Sequence, residues 1–121
     1  MDGHIAELLP LPNLSTLVLL ALAEGDAHGW AIIRRIREIE GTTRTPSSGS
    51  LYIAMLRLED QGLVEETSAP EGIQGDDARR RYYRLTAFGR RVLEAEMDRL
   101  TRLVRRAQEW NVVARPARGH A

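Results

Sequence analysis

Residues 47–66 read SSGSLYIAMLRLEDQGLVEE, and residues 79–86 read RRRYYRLT. In the first stretch Ser47 or Ser48 can cap a helix whose apolar positions Leu51, Met55 and Leu58 fall at i, i+4 and i+7, one face of a 3.6-residue period. Gly62 stops that helix, and Leu63 to Thr67 has the composition of a strand. Arg80 to Leu85, rich in tyrosine, is a second strand, and Ser68 to Ala78 between them is a loop bearing Gly, Pro and Asp. The reading is a helix followed by a β-hairpin, or wing. Strand alternation turns Tyr83 and Leu85 toward the core and leaves Arg80, Tyr82 and Arg84 outward.

Upstream, two more helices precede this unit. Pro10 and Pro12 forbid a continuous helix through residues 1–12, which read as an N-terminal arm or irregular lead-in. Asn13 can cap a helix from Leu14 to Ala23 that is apolar round most of its girth, so it belongs in the core. Asp26 can cap the next, which places Trp30, Ile32, Ile33, Ile36 and Ile39 on a broad inner face and Arg34, Arg35 and Arg37 on the outer one, until Gly41 ends it. Residues 41–46 form a short connection. The fold class is therefore mainly α with a small β-hairpin, and helix, helix, helix, hairpin is the order of a winged helix-turn-helix, here over residues 13–86.

Downstream, Thr86 caps a long helix over residues 87–110, about 35 Å at 1.5 Å per residue. Leu93, Met97, Leu100, Val104 and Ala107 step by 4, 3, 4 and 3 residues, a heptad seam that Leu103 and Trp110 widen. Phe88 and Val92 can pack on the winged domain, but the seam has no evident partner within the chain, so it is expected to meet a second copy. Residues 111–121 are aperiodic and are expected to form a disordered tail.

Composition closes several functional classes. The chain of 121 residues has no cysteine, which removes disulfides, thiol catalysis and thiolate metal sites, and its three histidines are scattered. No paired carboxylates, metal-ligand spacing, phosphate-cradling glycine loop or nucleophile beside a histidine stands out, so no enzyme, cofactor or metal is expected. His28, following a turn, reads as a structural residue of a helix start. No apolar run approaches the roughly 20 residues of a membrane span, and Met1 to Glu7 lacks the positive flank of a signal peptide, which points to the cytoplasm.

Net charge is zero, yet the charges are unevenly spread: residues 65–78 carry five acids and no base, whereas residues 79–91 carry six arginines and no acid. At the start of the third helix, Ser47, Ser48 and Ser50 offer short hydroxyls beside free N–H groups suited to a phosphate, and Tyr52 and Arg57 reach further. Arg79, Arg80 and Arg81 on the wing can neutralise phosphates or enter a narrow minor groove. They can equally balance Glu65, Glu66, Asp76 and Asp77 across the hairpin. Double-stranded DNA is thus the expected partner; the other reading is a protein-interaction module that uses the seam and the surface of Ile53 and Leu56.

Three segments in this order, Ala27-His28-Gly29-Trp30-Ala31-Ile32-Ile33-Arg34-Arg35-Ile36, Ser48-Gly49-Ser50-Leu51-Tyr52 with Arg57-Leu58-Glu59 and Gly62-Leu63-Val64, and Arg81-Tyr82-Tyr83-Arg84-Leu85-Thr86 with Gly89-Arg90, resemble the PadR family of transcriptional regulators. The resemblance runs from about Leu14 to Val104. It implies a repressor that dimerises through its C-terminal helix and recognises inverted-repeat operators, with Gly49, Ser50, Leu51 and Tyr52 opening the recognition helix. The single C-terminal helix is similar to the shorter branch of the family. The chain departs from the pattern at Trp30, where tyrosine is commoner, and at Ile53 and Leu56, where polar or basic residues often stand. Some relatives bind flat aromatic compounds between the C-terminal helices, so Trp110 has two readings, stacking on a small aromatic effector or closing the dimer seam, and Met97 is similarly ambiguous.

Overall fold

In the computed structural model, residues 3–41 and 45–113 are described. The elements run α1 (Gly3–Leu8), α2 (Asn13–Ala23), β1 (Ala27–His28), α3 (Gly29–Glu40), α4 (Ser48–Asp60), β2 (Val64–Thr67), a 3-10 turn (Gly75–Arg79), β3 (Tyr82–Leu85) and α5 (Ala87–Glu109). The winged helix-turn-helix with a long C-terminal helix is therefore present, and besides the 3-10 turn in the wing loop two elements are added to those read from the sequence. One is α1. The prolines do end it, but before them Ile5 is buried and the short helix rests against α5, so the lead-in is not irregular. The other is β1, which makes the wing a three-stranded antiparallel sheet of order β1-β3-β2 rather than a hairpin.

The extra strand accounts for several local differences. Residue Asp26 does not cap α3; the chain first pairs Ala27 and His28 with Tyr83 and Tyr82, and His28 is the cap, its Nδ1 accepting from the Ala31 N–H at 3.2 Å. Tyr82, expected outward, is buried, because β3 is the central strand and its ring meets His28 edge-on with centroids 5.3 Å apart. In α2 the cap position falls on Pro12, whose carbonyl accepts from the Thr16 N–H, and Asn13 is the first helical residue.

The core gathers Val18, Leu19 and Leu22 of α2, Ile32, Ile33 and Ile36 of α3, and Leu51, Met55 and Leu58 of α4. Trp30 and Ile39 lie outside it, at 61% and 41% exposure. Trp30 sits more than about 100° round α3 from the middle of the isoleucine stripe, and Ile39 lies in the last turn, beyond the elements that cover that stripe. Arg35 is not wholly outward either: its guanidinium donates to the carbonyls of Ala21 and Gly25, pinning the α2–β1 turn.

Helix α4 ends on Gly62, whose φ of 76° requires a residue tolerant of the left-handed region. The Leu63 N–H then returns to the Leu58 carbonyl and the Gly62 N–H to that of Glu59, a Schellman closure. Helix α5 closes the same way with Asn111 in the left-handed position and the Val112 N–H on the Ala107 carbonyl. Residues 111–113 are thus a helix cap; the remainder of the expected tail, 114–121, lies outside the described residues, as do 42–44 of the connection.

At its N-terminal half α5 is part of the core, through Val92, Leu93 and Ala95. Leu93 therefore has no surface to offer a second copy, a correction to the seam as read from the heptad. The half also carries a buried charge. The Glu96 carboxylate accepts from the Leu11 N–H at 3.0 Å and from Arg99 at 2.6 and 3.0 Å, tying the α1–α2 link to α5. The Arg99 hydrogen bonds hold the Glu96 carboxyl below the usual carboxylate range, against the opposing effect of burial. A group depressed in the folded state stabilises above its unfolded pKa and loses that contribution as pH falls through the lowered folded value. Unfolding by urea across pH 7 to 3 is therefore expected to show an acid loss of stability that is shallower in Glu96→Gln, with the variant less stable at pH 7; identical acid limbs would refute the assignment.

Candidate nucleic-acid interface

The Ser47 Oγ accepts from the Ser50 N–H at 3.0 Å and donates to the Ser50 Oγ at 2.9 Å, so Ser47 is the N-cap and the two hydroxyls engage each other. Ser48 opens the helix at an exposed position. With Leu51, Met55 and Leu58 buried, the 100° step per residue turns Gly49, Ile53 and Asp60 outward, with Leu56 and then Tyr52 toward one flank and Arg57 toward the other. Tyr52 is 56% exposed and faces the wing side.

Between the start of α3, the start of α4 and the wing lies an open groove of about 340 Å³. Ser48, Tyr52, Arg80 and Arg81, four of the residues singled out from the sequence, line it together with Trp30 and His28. The aromatic rings form walls, the two arginines a cationic rim, and Ile33, Leu51 and Met55 an apolar floor. Arg80 pairs with Asp77 at 2.9 Å, and Arg81 lies 3.7 Å from Glu66. Both readings of the arginine run thus find support: acids orient the guanidinium groups, yet all these side chains stay substantially exposed. Arg79, ending the 3-10 turn, is exposed beside them, whereas Arg57 lies across α4, outside the groove.

Trp30 and His28 were not assigned to this surface by the sequence reading. The signal for Trp30 was its angle on α3, away from the isoleucine stripe; for His28 it required knowing that β1 aligns the ring with Tyr82. Burial first, then the nearby charge of Arg80, pushes the His28 pKa below its usual value. That favours the neutral ring its capping role needs.

Beyond the winged domain, the second half of α5 projects apolar side chains with no cover from the described chain. Leu103, Val104 and Trp110 are 54%, 47% and 69% exposed, while Leu100 and Ala107 are partly covered and Met97 packs against the core. The Arg106 guanidinium lies 5.6 Å over the Trp110 ring. Among the described residues no group of three or more His, Cys, Asp or Glu is placed to hold a metal ion, and no helix is long and apolar enough to cross a membrane.

Comparison with known proteins agrees with this architecture. A model of the transcriptional regulator PadR-like family matches residues 18–95. An uncharacterized 37.1 kDa protein in transposon TN4556 of Streptomyces fradiae is 40% identical over 93 residues, 77% of this chain and 24% of that protein, so the chain spans about a quarter of that relative's length. Among solved structures, a PadR family transcription regulator from Clostridium difficile superposes with a TM-score of 0.68 at 24% identity, covering 84% of this chain and 100% of the other. A transcriptional regulator from Clostridium thermocellum gives a TM-score of 0.64 at 23% identity, covering 90% and 95%.

The capping geometry carries a prediction. Replacing His28 by alanine removes the cap of α3 and the edge contact on Tyr82, and is expected to cost about 1 kcal/mol at pH 8. Because the folded-state pKa is lowered, protonation disfavours the native cap; the difference between the proteins should shrink as pH falls below the usual imidazole range. Urea unfolding of both proteins at pH 8 and 5 measures it, and a penalty that grows at pH 5 contradicts the cap.

Proposed function

The chain belongs to the PadR-like family of transcriptional regulators, and from that premise we propose that it is a repressor that binds an inverted-repeat operator in duplex DNA as a homodimer. The observation that carries this reading is the convergence of Ser48, Tyr52, Arg80 and Arg81 on one groove at the N-terminus of α4. A helix N-terminus with free N–H groups receives a phosphate, and wing arginines follow the backbone on either side of the groove that the helix enters. Two such heads on one dimer read successive major grooves about 34 Å apart, and occupancy of the operator blocks polymerase.

The dimer reading rests on the distal half of α5. Leu103, Val104 and Trp110 form an exposed apolar strip on a helix that extends past its own domain, and a second copy laid against it buries the strip symmetrically. Arg106 already covers one face of the Trp110 ring, leaving the other for the partner helix or for a flat aromatic effector. The protein acts in the cytoplasm, where its DNA lies.

Electrophoretic shift and fluorescence anisotropy on the chain's own upstream region test the reading. If six to ten phosphates are contacted, affinity falls on the order of a thousandfold between 50 and 200 mM salt. In the double variant Arg80→Ala, Arg81→Ala the slope of log K against log salt should drop by about two, with the dimer intact. Unchanged DNA affinity in this variant favours the protein-interaction module, and equal retention of random duplex removes the operator. Separately, Leu103→Glu with Val104→Glu is expected to give a folded monomer by sedimentation and circular dichroism, with weakened operator binding; a variant that stays dimeric moves the interface elsewhere.

A further inference from the structure

The outward arc of α4 lacks the side chains that read bases by paired hydrogen bonds. Over residues 48–56 it presents Gly49, Ile53 and Leu56, and Ile53 and Leu56 are 62% and 48% exposed. Guanine and adenine are read in the major groove by arginine, lysine, asparagine or glutamine, and cytosine by an acceptor. Arg57 borders the arc about as far from its middle as Leu56 does, on the opposite side, and Asp60 follows it one turn on; Tyr52 lies further round, and the Ser50 Oγ accepts from Ser47, so Gly49, Ile53 and Leu56 make the centre of the arc apolar. The one base edge that offers an apolar group there is thymine, through its C5 methyl.

Gly49 supplies an independent observation. A Cβ built on it would find only the Ser47 Oγ, at 4.0 Å, and its φ is not in the left-handed region, so nothing inside the fold requires glycine. Glycine within a helix is disfavoured by up to about 1 kcal/mol against alanine. Its use at the most outward position of the first turn fits the close approach of an external surface to the helix backbone. The flanks define the chemistry of that surface: Arg80 and Arg81 rim one side, Arg57 stands on the other, and the positive end of α4 lies above. An apolar strip between cationic borders complements a groove with methyl groups on its floor and phosphates along its edges.

We propose that α4 reads its operator chiefly by contact of Ile53 and Leu56 with thymine methyl groups, Gly49 allowing the helix backbone to approach the base edges. The inference rests on the operator-binding reading above and adds the class of base that the helix selects. Each contact is non-directional and buries about one methyl, so loss of a single methyl should weaken binding about fourfold.

Deoxyuridine scanning tests this without altering the protein. Duplexes are selected from a randomised library by the full chain, and each thymine of a selected duplex is replaced in turn by deoxyuridine, which removes the methyl alone. At one or more thymines in each half-site the substitution is expected to weaken binding about fourfold. Ile53→Ala should erase the thymine–uracil difference at one of these positions. Gly49→Ala should lower affinity for the selected duplex while leaving thermal stability unchanged or raised. If deoxyuridine is tolerated at every thymine while the selected duplex is still preferred over random DNA, methyl reading is refuted and operator binding stands. If selected and random duplexes bind alike, operator binding fails and the inference fails with it.

Discussion

The approach of α5 to the carbonyl of Leu63 is the constraint from which the geometry of the molecule follows. A Cβ on Gly89 would stand 2.0 Å from that oxygen, so the helix passes the start of β2 at a distance that only a hydrogen at this position permits. Thr86 completes the junction: its N–H donates to the Leu63 carbonyl, its hydroxyl donates to the Gly62 carbonyl at 2.7 Å, and its Oγ1 accepts from the Gly89 N–H. Since the Leu63 N–H is at the same time bound to the Leu58 carbonyl, the end of α4 and the start of α5 meet on one residue. Helices α4 and α5 are therefore fixed to each other through backbone groups. Side-chain packing alone would allow repacking at this point; hydrogen-bonded backbone in close contact leaves little room for it.

Helix α5 divides into two halves with different surroundings, and Glu96 marks the boundary. A buried carboxylate is tolerable only with partners, and this one has three, from Leu11 N–H and the two nitrogens of Arg99. Removing Leu11 from its place would leave the charge under-satisfied, so the α1–α2 link is held as firmly as a core element despite its two prolines. Below Glu96 the helix is enclosed by its own domain. Above it, the heptad continues but the enclosure stops. A single 3.5-residue pattern thus serves two packing tasks in succession, which is why the sequence shows one unbroken stripe where the structure shows core followed by open surface.

Much of this architecture could be read from periodicity and punctuation. The stripe Leu51, Met55, Leu58 with its serine cap, the stop at Gly62 and the cap at Thr86 are local signals, and each is where the sequence puts it. What escaped was non-local. A two-residue strand such as Ala27–His28 has no period; it exists because Tyr82 and Tyr83 pair with it across more than fifty residues of chain, and from it follow the capping role of His28 and the burial of Tyr82. Trp30 and Leu93 failed in opposite directions, the one exposed although large and aromatic, the other buried although on the seam. In both cases hydrophobicity was legible and the identity of the covering surface was not. The groove itself was half legible: Ser48, Tyr52, Arg80 and Arg81 were named from chemistry, but their convergence depends on the pairing of β3 between β1 and β2, the strand that packs on α4.

Neutral net charge and the proposed DNA-binding surface are compatible for a reason that lies in the strength of exposed ion pairs. Arg80 with Asp77 and Arg81 with Glu66 are exposed surface contacts, screened by solvent and weak, so a guanidinium can exchange its carboxylate for a phosphate at little cost in folding stability. The acids still matter to association. They lower the positive potential of the wing, and with it the sequence-independent attraction that would hold the protein on arbitrary DNA. Non-specific binding competes at every other site in a genome, so selectivity depends on the ratio of the two affinities rather than on either alone. For the proposed operator binding, weakening the electrostatic part shifts that ratio toward contacts that act only at short range, such as those of Ile53 and Leu56. Under the proposed function, the acidic loop beside Arg79, Arg80 and Arg81 leaves short-range contacts to decide where the protein stays.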